Sequence, residues 1–118
     1  MSTLRQLPQS EWRAFFDRMS KALLGKWAEI EVASLDLGDQ ILAEWVPLLG
    51  ITYDARDDVL DVALDRSNHL IQHPREIVVD GTPDRLTSVA VVDQDGARQI
   101  VRLKEPLMLP AAATSANP

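Results

Sequence analysis

Ser10 to Gly25, S-E-W-R-A-F-F-D-R-M-S-K-A-L-L-G, is the one strongly helical stretch of this 118-residue chain. Trp12, Phe15, Phe16, Met19 and Leu23, with Ala22 beside them, recur at spacings of three and four and form one apolar stripe. Glu11, Arg13, Asp17, Arg18 and Lys21 fall on the other side. Ser10 is the expected N-cap. Gly25 is suited to the left-handed residue that ends a helix, and Lys21 suits the negative end of the dipole. Both Phe residues and one of the three Trp residues lie in this stretch. A helix this short needs a surface to pack on, and the rest of the chain reads as strand and turn.

Trp27–Val32 alternates apolar and acidic residues, as a strand with one wet face does. A turn at 35–39 leads to Ile41–Val46, whose near-continuous apolarity predicts burial on both faces, ending at Pro47. Ile51–Tyr53 and Val59–Leu64 flank an Asp-rich turn at 54–58. Residues 65–74 read either as a single helical turn capped by Ser67, stopping before Pro74, or as an irregular crossing segment. Arg75–Asp80 is the next strand. Leu86–Asp93 and Arg98–Leu103 form a hairpin around Asp95-Gly96, the pairing that a tight primed turn favours. An extended apolar segment at 106–110 then leaves the sheet, before a disordered tail at 111–118.

One helix followed by strands, with no helices between them, implies an antiparallel α+β domain over residues 1–110. The expected architecture is an N-terminal amphipathic helix packed on a strongly bent antiparallel sheet of six to seven strands. Closure into a small barrel is the first form, an open curved sheet the second.

A formal net charge of −6 disfavours a nucleic-acid backbone as partner. With no cysteine, disulfides and thiolate chemistry are excluded. No signal-peptide core or membrane-length apolar run is present, so a cytoplasmic protein is expected, with neither membrane nor nucleic acid as partner.

His69 and His73 are the only histidines, and Arg75 and Glu76 follow them. On a helix the two imidazoles would share a face, with Glu76 or Asp65 as a third metal ligand. On a strand they would stand about 13 Å apart and could not share an ion. Leu70 stands where the zincin pattern needs Glu, so structural histidines are the stronger reading and no metal or other cofactor is expected. Asp54, Asp57 and Asp58, like Asp93 and Asp95, fit turn chemistry better than a calcium loop. Neither a nucleophile elbow nor a glycine-rich phosphate loop is present. His69, His73, Arg75 and Glu76 remain the candidate polar cluster, because 65–76 is the longest irregular stretch.

Trp27, Trp45, Tyr53 and 106–110 offer apolar area that a small domain does not fully bury. This predicts a homodimer or another protein as partner, joined through a strand edge or the helix face. The expected role is therefore a non-enzymatic interaction module that self-associates. The alternative is a small-molecule or metal-binding domain, catalytic or not, centred on 65–76.

The stretches L-P-Q-S-E-W-R-A-F-F-D-R-M-S-K-A-L-L-G-K, G-I-T-Y-D-A-R-D-D-V-L-D-V-A-L, H-L-I-Q-H-P-R-E-I-V-V-D and D-G-A-R-Q-I-V-R-L resemble a family of small uncharacterised bacterial proteins, a domain of unknown function. The likeness spans roughly residues 7–110. It implies a self-contained bacterial domain and carries over no activity, cofactor or catalytic residue. T-Y-D-A-R-D-D-V-L-D-V alone is also similar to the opening hairpin of another small β-rich bacterial family. The helix-then-strands order is similar to RNA-binding Sm-like barrels, but the acidity and the missing Ile-Arg-Gly pattern speak against RNA.

Overall fold

The computed structural model describes residues 4–36, 38–82 and 85–108. Strand β1 (Leu4–Leu7) and a 3-10 turn (Gln9–Glu11) lead into helix α1 (Trp12–Leu23). Seven strands come after it: β2 (Trp27–Ser34), β3 (Gly38–Asp54), β4 (Val59–Leu64), β5 (Asn68–Gln72), β6 (Pro74–Thr82), β7 (Arg85–Asp93) and β8 (Arg98–Met108). All pair antiparallel in one sheet of order β1-β6-β7-β8-β2-β3-β4-β5.

The α+β class and the antiparallel sheet are as expected; the barrel is not. Among the described residues there are eight strands rather than six or seven, and the sheet stays open, with β1 and β5 as its two ends. The ends nevertheless come close. Only His73 separates β5 from β6, and one residue spans no more than about 7 Å of extended chain. His69 on β5 also bonds Gln99 on β8, with three strands between them in the sheet order. The sheet is therefore folded over itself into two layers.

β3 makes the fold possible. Its 17 residues have a contour length of roughly 55 Å. It pairs with β2 through 38–47 and with β4 through 48–54, so one strand belongs to both layers. Extra residues bend it: Leu42 between Ile41 and Ala43, another between Ala43 and Val46, and Leu49 beyond Leu48. Trp45 takes a left-handed conformation, φ 49°, which side chains other than Gly adopt at some strain. The two strands expected on either side of Pro47 are thus one, because the proline falls where β3 changes partners. Expected burial of Ile41–Val46 on both faces is overturned as well, since Ile41 and Leu42 are 48% and 53% exposed.

α1 packs mainly on β3, with Trp12, Phe15, Phe16, Met19 and Leu23 buried as the stripe predicts. The Trp12 and Tyr53 rings meet edge to face at 5.2 Å. Ser20 Oγ donates to the Ile51 carbonyl at 2.6 Å and accepts from its N–H at 3.3 Å, covering the edge of β3 that β2 has left. Gly50 permits this approach, because a Cβ there would lie 3.3 Å from Ser20 Oγ. Ser10 is not the cap: it lies in the 3-10 turn, and Glu11 occupies the N-cap position without a side-chain bond. Gly25 does take the left-handed conformation, φ 84°. Leu7 is buried, and its carbonyl accepts the Trp12 indole N–H at 3.0 Å.

Both readings of 65–74 give way to strand β5. Asn68–Gln72 registers with Val59–Ala63 and places Ile71 in the core. Tyr53, expected to keep apolar area exposed, is buried. The hairpin around Asp95-Gly96 forms as expected, but not through a primed turn: Gly96 is left-handed, φ 84°, while Asp95 is not, and Gly96 N–H donates to the Asp93 carbonyl at 3.0 Å. β8 then continues through 106–108 beside β7 instead of leaving the sheet. Residues 109 and 110 and the expected tail, 111–118, lie outside the described residues.

Phe16 is fully buried. Phe16→Ala should therefore lower stability by about 3–5 kcal/mol, measured by denaturant melting. A near-parental midpoint would show that α1 does not hold the core together.

Candidate functional site

The candidate cluster at 65–76 is built on β5, on the corner after it and on the start of β6. Alternation along β5 turns His69 and Ile71 toward the interior and Leu70 and Gln72 outward. His69 Nε2 stands 2.5 Å from Gln99 Oε1. Gln99 Nε2 donates to Asp93 Oδ2 at 2.9 Å, while Asp93 Oδ1 accepts the N–H groups of Asp95 and Ala97 at 2.9 and 3.0 Å. A carboxylate only accepts, which fixes the Gln99 amide nitrogen on Asp93 and leaves its oxygen facing His69. His69 Nε2 must therefore carry a proton and donate. The network ties β5 of one layer to the β7–β8 turn of the other, and Gln99 is the one buried polar side chain among the described residues.

His73 has different partners. Its backbone is left-handed, φ 50°, and its N–H donates to the Asp58 carbonyl at 2.8 Å. Its Nδ1 lies 3.2 Å from Asp58 Oδ2, and Tyr53 donates its hydroxyl to Asp58 Oδ1 at 2.7 Å. Burial, and then the Asp58 carboxylate, push the Tyr53 phenol above its usual pKa range. Arg75 reaches the Gln94 carbonyl at 3.4 Å, and Glu76 is exposed on β6 opposite Val92. The four candidates are thus spread along a corner, each with separate surroundings. Among the described residues, no three His, Asp or Glu side chains are grouped to hold a metal ion.

Beside the corner, the outward face of β3, β4 and β5 carries an open depression of about 610 Å³, with Asp54, Asp57 and Asp61 on its walls. Asp54 Oδ1 is occupied by the N–H groups of Arg56 and Asp57, and Asp61 Oδ1 accepts from Asn68. These carboxylates are organised by their own turns and neighbours.

A different surface was not marked out by single residues. Leu24, Trp27, Leu35, Ile41, Leu42 and Leu49 are six of the eight large apolar side chains that are exposed among the described residues. All lie between the end of α1 and the middle of β3. Leu24, Trp27 and Leu49 share one junction, where Gly25 N–H donates to the Leu48 carbonyl, Leu48 N–H donates to the Lys26 carbonyl and Trp27 stands opposite Pro47. Trp45 is half-buried.

The same region is acidic. Between Lys26 and Arg56 there is no Lys or Arg, against Glu29, Glu31, Asp36, Asp39, Glu44 and Asp54. Arg102 on β8 bonds both Glu29 and Glu31. That guanidinium, and then Asp39, hold Glu31 below the usual carboxylate range, while Glu31 pushes Asp39 above it. The signal that could have found this surface is the absence of basic residues over a whole hairpin.

Residues 3–112 match a family described as "Family of unknown function (DUF5335)", which agrees with the resemblance drawn from the sequence. An uncharacterized protein of Aquifex aeolicus (strain VF5) is 38% identical over 107 residues, 90% of this chain and 96% of the relative. No solved structure matches. No helix among the described residues is long and apolar enough to cross a membrane.

His69→Ala would leave the buried Gln99 oxygen without its donor, and the expected loss is about 1–3 kcal/mol. A double-mutant cycle with Gln99→Ala should show coupling between the two, and independent effects would break the network reading. Tyr53 is the only tyrosine, so phenolate absorbance reports it alone. Its raised value means that its contribution to stability is complete below about pH 10 and is lost as pH rises through the folded-state value. Its titration in the folded protein should lag that of the denatured chain; coincident curves would count against the burial of Tyr53 and its bond to Asp58.

Proposed function

We propose that this chain, which belongs to the DUF5335 family of unknown function, is a non-enzymatic protein-interaction module that self-associates in the bacterial cytoplasm. The observation that carries this reading is the clustering of exposed Leu24, Trp27 and Leu49 at the α1–β2 junction. Holding three large apolar groups together in water is unfavourable, and such patches mark contacts between proteins. Trp is also among the side chains that most often anchor an interface. The apolar stripe of α1 is not available for this role, because its residues are spent on the chain's own core.

The alternative centred on 65–76 has less support. A metal or small-molecule site needs convergent groups with free valences. His69 is committed to Gln99 and His73 to Asp58, on separate supports. The nearby acidic depression is open, and its Asp54 and Asp61 oxygens have partners.

Native mass spectrometry of the purified chain should give twice the 13.1 kDa protomer mass. Trp27→Ser should weaken the dimer about tenfold or more while leaving the melting curve close to parental, since the indole is half exposed. A parent that stays monomeric at high concentration would sink the self-association reading.

A further inference from the structure

β3 is covered along nearly the whole of one edge and along the second half of the other. β2 and the Lys26 carbonyl take one edge as far as Leu48, and Ser20 of α1 takes Ile51. On the other edge β4 takes 48–54, and Asp65 N–H donates to the Pro47 carbonyl. One stretch remains. Among the described residues, no strand pairs with the β4-side edge of β3 from Gly38 to Val46. A bare edge presents backbone donors and acceptors ready for another strand.

We propose that this edge binds an extended segment of another protein as an added strand, one with basic residues on its outward face and apolar residues on its inward face. The proposal deepens the contact role above and rests on it only in taking the chain to act through proteins. The two faces of β3 set the partner's chemistry. Register places Asp39 and Ile41 on the outward side with Glu31, and Glu44 is exposed nearby. Ala43 and Val46 lie opposite Ile30 and Ala28 and pack against the core, so an added strand's inward face would continue that apolar layer.

Charge selects a basic partner. Arg102 bonds Glu29 and Glu31 and reaches Asp39 only through its charge, and the sequence between residues 26 and 56 holds no Lys or Arg. Glu31 raises Asp39 first through their hydrogen bond and then through repulsion, and a cation on an added strand would offset that repulsion. A second copy of this chain is a poor occupant of the same edge. Antiparallel self-pairing would set two acidic edges against each other. The extra residue at Leu42 and the left-handed Trp45 also twist the edge away from flat self-stacking.

The test uses a fluorescent nine-residue peptide of alternating Lys and Val, a Glu-for-Lys counterpart and a version N-methylated at alternate residues. The Lys peptide should bind with salt-dependent affinity and slow hydrogen exchange within 38–46, and the other two should bind at least tenfold more weakly. Asp39→Lys with Glu44→Lys should lose binding at least tenfold with an unchanged circular dichroism spectrum. If that pair fails to fold, the N-methylated peptide on the parent chain decides alone. No saturable binding of the Lys peptide, equal binding of the N-methylated form, or protection confined to other strands would overturn the proposal. So would a dimer lost on the Asp39→Lys, Glu44→Lys change but kept in Trp27→Ser, since that places a second copy on the edge. Trp27→Ser separates this idea from the junction dimer: it should bind the peptide as the parent does, whether or not the parent dimerises.

Discussion

β3 gives its first half to β2 and its second half to β4, and each other part of the fold depends on that division. A strand that pairs along one line holds a sheet flat or gently twisted. One that changes partners midway, with extra residues at Leu42, before Val46 and at Leu49, turns the sheet back on itself. The turn creates an interior between the layers, and it leaves one edge free at each half of the strand. α1 occupies the free edge of the second half, with Ser20 on the Ile51 backbone and Gly50 allowing the contact. The free edge of the first half is the exposed one.

What could be read from the sequence is what repeats locally. The stripe of α1 appears in Trp12, Phe15, Phe16, Met19 and Leu23 because helical spacing is visible in the sequence itself. Val59–Leu64 shows its alternation just as openly, and Asp95-Gly96 announces its turn. β1 was not legible: Leu-Arg-Gln-Leu has no distinguishing pattern, and its partner Ile77–Asp80 lies 70 or more positions away. β5 hid because only Ile71 among its five residues is a buried hydrophobe. Pro47 misled in the opposite direction, since a proline is tolerated where a strand exchanges one neighbour for the next.

The candidate site was legible as a segment and not as chemistry. Nothing near His69 reveals that its ring faces Gln99, thirty positions later, or that Asp93 orients that glutamine. His73 owes its place to an unusual backbone angle and to the Asp58 carbonyl, neither of which leaves a mark in composition. The apolar and acidic hairpin was visible residue by residue. Its meaning depends on a free edge, and an edge is a property of the whole sheet order.

The sheet order also carries a consequence for the timing of folding. β2 to β5 and β6 to β8 are two meanders, each joining neighbours in the chain, with His73 as the single residue between them. Two pairings remain, β2 with β8 and β1 with β6, and both span 65 or more positions of sequence. Such non-local pairing closes late and slowly, after the local meanders have formed. During synthesis the order is reversed, because β1 leaves the ribosome before the other strands and β6 only after β2 to β5. β1 is made before the strand it pairs with and is among the last to find its backbone partner.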